Sequence, residues 1–355
     1  IYGLVFTVFK FNPKSGKFIN VYLDPVVVVD YYVEMNYAGS IKGDVNGDGT
    51  EETYVCYYMT DYYNMFTSGI VGYSYSSGGV DKLQTEIPSF IAVGLDGGDV
   101  DGDGAMELVV PGVFLPEEIG GMPLGGVVIY DAKTLKKVVD FDVGEGTEVV
   151  SALVSNIATG SDKGDLVLAV NKYEFDYWGN VVGVNASIYI LRFEGGKLRL
   201  LDMAKYSRIS IMSVSRGDID GDGREELLAV VRTQDGDAVA LDILGWAGNR
   251  LGRVATIPFK IEEGNVMPTS SFVFDIDGDG VYEILMFIRE VEEGYMWLKR
   301  VDVYAWLSSE KALKLEESLP MEAGGRTIPM PVDVNGDGTP EMTYVVEEGY
   351  NISIY

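Results

Sequence analysis

The residues best suited to chemistry in this sequence are carboxylates in a short, repeated, glycine-rich motif. The motif Asp-x-(Asp/Asn)-Gly-Asp-Gly-x-x-Glu occurs five times, beginning at Asp44, Asp99, Asp218, Asp275 and Asp333. Side chains at positions 1, 3 and 5 of such a loop converge on one point, and the glycines at positions 4 and 6 let the backbone curl. A Ca²⁺ ion takes six to eight oxygen ligands at about 2.3–2.6 Å, whereas Mg²⁺ requires a smaller octahedral shell. The spacing therefore predicts a calcium site in each loop, and about five ions in all.

The predicted ligands occupy the same positions of every loop, with a carbonyl at position 7 and a carboxylate at position 9. They are Asp44, Asn46, Asp48, Thr50 and Glu52; Asp99, Asp101, Asp103, Ala105 and Glu107; Asp218, Asp220, Asp222, Arg224 and Glu226; Asp275, Asp277, Asp279, Val281 and Glu283; and Asp333, Asn335, Asp337, Thr339 and Glu341. A solvated acidic turn explains one such loop but not five in register. An EF-hand or dockerin requires a helix after the loop and a glutamate at position 12, and this sequence has neither.

The loops recur about every 58 residues, with one double interval between Asp99 and Asp218. A sixth, degenerate copy lies in this interval, near 155–165, with Ile157 or Asn156 where the first aspartate belongs. We expect no ion in this copy. Fixed self-similarity at this period is typical of a solenoid, an array or a propeller.

Each repeat contains four short segments rich in branched and aromatic residues, and none keeps helical spacing for three turns. Four-stranded units arranged radially form a β-propeller. We predict an all-β, six-bladed β-propeller in one domain, 1–355, with a seven-bladed ring as the alternative. The last blade would take its first two strands from about 326–348 and its outer strands from the hairpin Leu4–Lys10 and Lys17–Leu23. Tyr350–Tyr355 competes for one of these places, so a spare strand could pair with a neighbouring molecule.

Composition excludes several classes of function. The chain has 55 acidic and 27 basic side chains, a net charge of −28, no histidine and one cysteine, Cys56. Such a charge disfavours binding to nucleic acid or to an anionic membrane. Without histidine there is no Ser-His-Asp or Cys-His catalysis, and one cysteine forms no intramolecular disulfide. The first residue is Ile1, without a leader segment, so we expect a processed or trimmed chain.

The alternation of strand, acidic loop and strand resembles the FG-GAP/VCBS repeats of integrin-α-type β-propellers over essentially the whole chain. The resemblance implies Ca²⁺ in the five loops, and an extracellular or cell-surface protein used in adhesion, assembly or glycan contact. The sequence departs from that family in having six repeats where integrin-type propellers have seven, and in lacking a clear Phe-Gly/Gly-Ala-Pro signature.

Three functions follow as expectations. The main one is a non-enzymatic structural or adhesive protein, possibly a subunit of a surface filament that assembles by strand addition. The alternatives are a glycan-binding module and a polysaccharide lyase or hydrolase on a calcium propeller. Aromatic residues after the first and the degenerate loops, among them Tyr57, Tyr58, Tyr177 and Trp178, suit a subunit contact or sugar stacking, and the equal alternative is that half of them pack between blades. Acids outside the loops, Glu117–Glu118, Asp176 and Glu292–Glu293, form no recognisable catalytic pair.

The scarcity of glutamine, cysteine and histidine also resembles a heat-adapted composition. We therefore expect an extracellular protein of a thermophilic prokaryote, with self-association or an extracellular protein or glycan as partner, no nucleic acid and no insertion into a membrane.

Overall fold

The structure is a computed structural model of the 355-residue chain. It describes residues 2–12, 17–29, 34–45, 49–50, 52–60, 66–76, 79–116, 122–158, 164–275, 282–292, 295–320, 330–332, 341–345 and 352–354. Every regular element in these ranges is a β-strand. Nowhere in the described ranges does a helix reach the length and apolar character needed to cross a membrane.

The strands are numbered in chain order. They are β1 (Tyr2–Asn12), β2 (Lys17–Val29), β3 (Glu34–Gly43), β4 (Glu52–Thr60), β5 (Phe66–Ser76), β6 (Gly79–Pro88), β7 (Phe90–Ala92), β8 (Asp96–Gly98), β9 (Glu107–Phe114), β10 (Leu124–Asp131), β11 (Lys137–Glu145), β12 (Thr147–Ser155), β13 (Asp165–Phe175), β14 (Val181–Glu194), β15 (Lys197–Ser207), β16 (Ile209–Gly217), β17 (Glu226–Thr233), β18 (Val239–Ala247), β19 (Arg250–Phe259), β20 (Val266–Phe274), β21 (Glu283–Glu292), β22 (Tyr295–Leu307), β23 (Ala312–Pro320), β24 (Met330–Val332), β25 (Glu341–Val345) and β26 (Ile352–Ile354).

Five sheets are blades in which four strands pair in chain order: β3–β6, β7–β11, β12–β15, β16–β19 and β20–β23. In the second blade the first strand is divided into β7 and β8, and both parts pair with β9. The strands β24–β26 form a three-stranded sheet, and β1 and β2 form a two-stranded sheet. The chain is thus all-β, with the five four-stranded blades of a five-bladed β-propeller.

The predicted blade count is wrong, because five four-stranded blades are seen where six were expected, and the seven-bladed alternative is wrong as well. The predicted sixth blade combined both ends of the chain. Instead, β26 takes the place beside β25, and β1 pairs with β2. A strand nearby in sequence reaches that place with less loss of chain entropy than a strand from the other end of the chain.

Burial follows strand position within a blade. The second strands are apolar on both faces, and the first six residues of β9 and of β17 are all buried. The fourth strands β11 and β19 alternate between exposed and half-buried residues. A strand packed on both faces requires a continuous apolar run, whereas a strand with one wet face alternates. The second strand is therefore the most rigid place in a blade from which to project a functional residue.

The first strand of a blade carries a β-bulge at a recurrent place. The register against the second strand shifts between Tyr37 and Gly39, between Ile211 and Ser213, and between Pro268 and Ser270. Each shift lies opposite the fifth residue of the second strand. A bulge inserts one residue and redirects its side chain. It therefore changes which first-strand side chains face the end of the second strand.

The described chain divides into two compact units, Ile1–Val154 with Arg192–Arg199, and Ser155–Leu191 with Leu200–Tyr355. Buried side chains in the first unit include Tyr54, Phe90 and Leu108. Those of the second unit include Leu241 and Met286. The expectation of a single domain over residues 1–355 stays a prediction.

Candidate metal centre

The loop 99–107 joins β8 to β9, and backbone amides surround its first and last carboxylates. The two carboxylate oxygens of Asp99 accept hydrogen bonds from Gly102 N at 2.6 Å and from Gly104 N at 3.0 Å. Glu107 Oε2 accepts one from Val100 N at 2.8 Å. Gly102 and Gly104 have φ of 85° and 88°, a region that favours glycine. The glycines therefore let the backbone fold around Asp99, which fixes this carboxylate at the start of the loop.

The loop 218–226, between β16 and β17, repeats this arrangement. Asp218 Oδ1 accepts a hydrogen bond from Gly221 N at 2.8 Å, and Asp218 Oδ2 accepts one from Gly223 N at 2.8 Å. Glu226 Oε2 accepts one from Ile219 N at 3.2 Å. Two loops far apart in sequence thus close in the same way, as their common motif predicts.

Three carboxylates converge in each of these two loops. One oxygen each from Asp99, Asp101 and Glu107 lies within 4.8 Å of the others, and so do oxygens of Asp218, Asp220 and Glu226. Positions 1, 3 and 9 are therefore brought together as predicted, and each group could hold a metal ion.

Position 5 lies outside these two groups. The Oδ1 atoms of Asp103 and Asp222 accept hydrogen bonds from the position-7 amides, Ala105 N at 2.8 Å and Arg224 N at 2.9 Å. These bonds occupy one oxygen of each carboxylate and leave the second oxygen for a ligand role.

The glutamate at position 9 carries the clearest electrostatic signature. The pKa of Glu107 is raised to about 7, chiefly by burial and also by the charges of Asp101 and Asp103, while its hydrogen bonds from backbone amides oppose the rise. The pKa of Glu226 is likewise raised to about 7. Burial is the largest cause, and among the neighbouring charges that of Asp220 contributes most. A buried carboxylate beside other carboxylates is a poor anion unless a cation neutralises the group.

The other three predicted loops are described only in part. In the first, Glu52 is buried and its carboxylate accepts hydrogen bonds from Val45 N and Ser74 Oγ, both at 3.1 Å. Asp44 accepts one from Gly49 N at 3.0 Å, as Asp99 and Asp218 do from their glycines. In the fourth loop Asp275 and Glu283 are described. The remaining predicted ligands, or their side chains, lie outside the described residues: Asn46, Asp48, Asp277, Asp279, Val281, Asp333, Asn335, Asp337, Thr339 and Glu341.

The degenerate loop between β12 and β13 closes without its own carboxylates at the start. Glu225, from the loop of the next blade, accepts hydrogen bonds from Ser155 Oγ at 2.7 Å and from Asn156 N at 3.1 Å. Ile157 is buried, as are Val100 and Ile219 at position 2 of the complete loops. Asn156 therefore takes the place of the first aspartate of the motif. The sequence had left Asn156 and Ile157 as the two candidates for that place. The absence of an ion there stays a prediction.

The turn between β13 and β14 presents two aromatic rings to solvent. Tyr177 is 93% exposed and Trp178 is 82% exposed, with their ring centroids 5.2 Å apart and edge-on. Asp176 Oδ1 accepts hydrogen bonds from Trp178 N and Asn180 N, both at 2.8 Å. The pKa of Asp176 is lowered, chiefly by its hydrogen bonds from Asn180. This acid is therefore ionised, and its carboxylate fixes the backbone of the turn. The aromatic pair is thus held in place by its own turn.

Of the other acids considered as catalytic, Glu117, Glu118 and Glu293, together with the side chain of Glu292, lie outside the described residues.

Sequence reasoning missed two arginines in the second strands of neighbouring blades. Arg232 and Arg289 each lie six residues after the glutamate that closes the preceding loop, Glu226 and Glu283. That common offset is the signal that could have found them. Burial lowers the pKa of Arg289 to about 10, and its Nη1 donates to the hydroxyls of Thr269 and Ser270.

No family model matches the chain, and no curated protein matches it. Among solved structures, the exotype rhamnogalacturonan lyase YesX aligns with a TM-score of 0.46 and 15% identity over 99% of this chain and 75% of that one. The rhamnogalacturonan lyase YesW aligns at 0.47 and 15% over 98% and 73%. The Bacillus licheniformis rhamnogalacturonan lyase PL11 aligns at 0.47 and 15% over 91% and 72%. These likenesses concern the fold alone, and the blade count above comes from the sheets of this chain.

The expectation of a non-enzymatic protein is corrected at this point, because all three of these structural neighbours are lyases. Two acidic groups that could hold a metal are present. The FG-GAP/VCBS resemblance, the extracellular location and self-association stay predictions.

Proposed function

We propose that this chain is a calcium-binding β-propeller in which cations join the first and second strands of a blade. The supporting observation is the convergence of three carboxylate oxygens within 4.8 Å in each of the loops 99–107 and 218–226. Carboxylate groups this close repel one another strongly in a partly desolvated loop, and a divalent cation relieves that repulsion. An all-oxygen donor set in a flexible loop suits Ca²⁺ better than Mg²⁺ or a softer metal.

In the second of these loops Asp218, Asp220 and Glu226 would hold the ion, with Asp222 and the Arg224 carbonyl as further donors. The bound cation supplies positive charge and cross-links the loop. Because Glu226 is the first residue of β17 and Asp218 directly follows β16, the cation would tie the two strands at their shared end. Such binding contributes directly to the free energy of unfolding.

Calorimetric titration of the metal-stripped full chain with CaCl₂ tests the proposal. We expect saturable binding that the double substitution Asp101→Asn and Asp220→Asn weakens at both loops. The matched control is Asp237→Asn, which removes one charge from an exposed turn. Identical titrations of all three proteins, or equally strong binding of MgCl₂, would contradict a calcium site in these loops.

A second candidate function, action on a polysaccharide outside the cell, is favoured by the exposed pair Tyr177–Trp178. Aromatic rings exposed at a surface can stack against the apolar faces of sugar rings, and neighbouring exposed aromatic rings are a common feature of binding sites. Calcium supports an extracellular location, because weak sites fill at extracellular but not at cytosolic calcium concentrations. Among the described residues no observation favours the adhesive or filament role over this one.

Incubation of the calcium-loaded chain with rhamnogalacturonan, homogalacturonan and a neutral galactan tests this candidate. The readouts are pull-down of the polymer and the ultraviolet absorbance of unsaturated ends, which a lyase releases. We expect one polymer to be retained or cleaved, with at least ten-fold loss on Trp178→Ala. Trp246→Ala, on the third strand of another blade, is the matched control. Retention of none of the polymers, or retention unaffected by Trp178→Ala, would refute it.

A further inference from the structure

Among the residues that the structure describes, no carboxylate pairs with the guanidinium of Arg289. It lies toward the end of β21 opposite the loop 275–283, paired in register with Met267. Its Nη1 donates to Ser270 Oγ at 2.9 Å and to Thr269 Oγ1, and its Cζ lies 5.6 Å from the Phe287 ring centroid. Each of these partners is neutral, so none balances the charge of the guanidinium.

The two described acids nearest to Arg289 along and across β21 are engaged by other cations. Glu290, the next residue along β21, pairs with Lys299 at 2.5 Å. Asp302 on β22 pairs with Arg300 at 3.0 Å. Burial of Arg289 without an opposite charge is costly, and it lowers the pKa of this arginine. A fold that keeps such a group without a partner commonly uses it for a ligand.

The position of Arg289 leaves it accessible to a ligand. The residue is partly buried and keeps part of its surface open to solvent. Nη1 donates to the two hydroxyls, so no described residue accepts from Nη2 or Nε, and these two groups can donate to an anion. Two N–H groups on one planar edge match a carboxylate, which accepts both in parallel. Thr269 is the extra residue of the bulge between Pro268 and Ser270, so the bulge fixes the hydroxyls that orient the guanidinium.

The neighbouring blade repeats the feature, and the first strands of the two blades are linked. Ser215 Oγ and Ser271 Oγ lie 2.8 Å apart, which joins β16 to β20. Arg232 Nε and Ser213 Oγ are buried without a hydrogen-bond partner. One blade thus has buried donors without a partner, and the neighbouring blade has a guanidinium without a described carboxylate. Both features lie toward the same end of β17 and β21, so this end has an excess of hydrogen-bond donors.

We propose that Arg289, with the hydroxyls of Thr269 and Ser270, binds the carboxylate of an acidic sugar, at the end of the blade opposite the metal loops. A singly charged carboxylate fits better than phosphate, because a protein of net charge −28 repels multiply charged anions. The identity of the ligand as a sugar rests on the polysaccharide function proposed above, whereas the preference for a carboxylate rests on Arg289 alone.

Binding of galacturonate, galactose and inorganic phosphate to the calcium-loaded full chain tests the site by calorimetry or ligand-observed NMR. Galacturonate and galactose differ only in the carboxylate, so we expect galacturonate to bind at least ten-fold more tightly than galactose. Arg289→Met should abolish that preference, and Ser270→Ala should weaken it several-fold. Arg199→Met, at an exposed ion pair with Glu194, is the matched control and should leave the preference unchanged.

Thermal unfolding without ligand separates binding from a structural role. Arg289→Met should leave the midpoint unchanged or raise it, because it removes a buried charge without a partner. A lower midpoint, or a variant that fails to fold, would show that Arg289 is structural and overturn the site. Equal binding of galactose or preferential binding of phosphate would overturn it as well. If galacturonate binds through Arg289 while no polymer is cleaved or retained, the carboxylate site stands and the polysaccharide function fails.

Discussion

The loops at 218–226 and 155–165 connect the first two strands of neighbouring blades, yet they close in different ways. In the first, Asp218, Asp220 and Glu226 converge, and nothing in the group offsets their charge. At the start of the second, a carboxylate from outside the loop, Glu225, accepts hydrogen bonds from Ser155 Oγ and Asn156 N and pairs with Arg216 at 3.8 Å. The same connection thus carries either converging carboxylates that could hold a cation or donors around one carboxylate.

The comparison shows that a degenerate repeat need not be a weak point. Hydrogen bonds to a charged acceptor, each of which contributes about 1.5–3 kcal/mol, lie at the start of this loop, where a complete loop has the proposed ion site. If the proposed calcium sites are occupied, the complete loops should depend on the calcium concentration of the surroundings, whereas the degenerate loop should not. We therefore expect the blades to respond differently to metal removal, and the predictions below test that difference.

Removal of calcium should have the largest effect. A ligand at 100 times its dissociation constant stabilises the folded state by about 2.7 kcal/mol per site. The two described carboxylate groups together should therefore contribute about 5 kcal/mol. Calorimetric unfolding in CaCl₂ and in a chelator measures the difference, with MgCl₂ as the control for ionic strength. Equal midpoints in all three buffers would remove the distinction between the two kinds of loop.

The substitution Asp220→Asn should remove most of the contribution of one site. Asp220 is exposed, and its Oδ1 accepts a hydrogen bond from Asp222 N at 3.2 Å that an amide oxygen can also accept. We expect a loss of about 2–3 kcal/mol in saturating calcium and almost none in chelator. Denaturant titrations in both buffers test this, with Asp237→Asn as the matched control. A loss of the same size in both buffers would mean that Asp220 stabilises the loop without a metal.

Ser155→Ala should show the opposite pattern. Ser155 Oγ donates to Glu225 and accepts a hydrogen bond from Ile157 N at 3.2 Å, and the residue is buried. Loss of these bonds should cost about 2–3 kcal/mol, most of it from the bond to the charged Glu225. Because the bonds involve no cation, the cost should be equal in calcium and in chelator. Ser74→Ala, which removes a hydroxyl donor to Glu52 of a complete loop, is the comparison variant. Calcium dependence of the Ser155→Ala effect would place an ion in the degenerate loop.

The sequence predicted the parts of the molecule that depend on local spacing. Positions 1, 3 and 9 of the loops 99–107 and 218–226 converge as expected, because glycines at fixed positions determine the course of a nine-residue turn. The blade count failed because it rests on pairing between distant segments, which local patterns do not encode. Tyr350–Tyr355 and Leu4–Lys10 are equally good strands, and only the pairing of β26 with β25 decides between them.

The remaining site residues could not be identified from the sequence, for two physical reasons. Glu225 occupies an unremarkable position in its own loop, and its partners belong to another blade. Arg289 matters because of the charges that are missing around it, and a sequence does not show which acids other cations have already engaged. The regular offset of Arg232 and Arg289 from the loop glutamates was the only local signal.

Asn156→Asp should have the smallest effect and gives the sharpest test of the comparison. The substitution restores the first aspartate of the motif, but Glu225 already lies at this point, because its Oε2 accepts the amide of residue 156. Two carboxylates at an exposed site repel by about 0.2–1 kcal/mol, and added salt screens the repulsion. We therefore expect a slightly lower unfolding free energy at low salt, a smaller loss at high salt, and no additional calcium bound. If calorimetry instead finds one more calcium ion per chain, the two kinds of loop differ in function by one aspartate only. The hydrogen bonds to Glu225 would then take the place of a cation, and a bound cation would replace them.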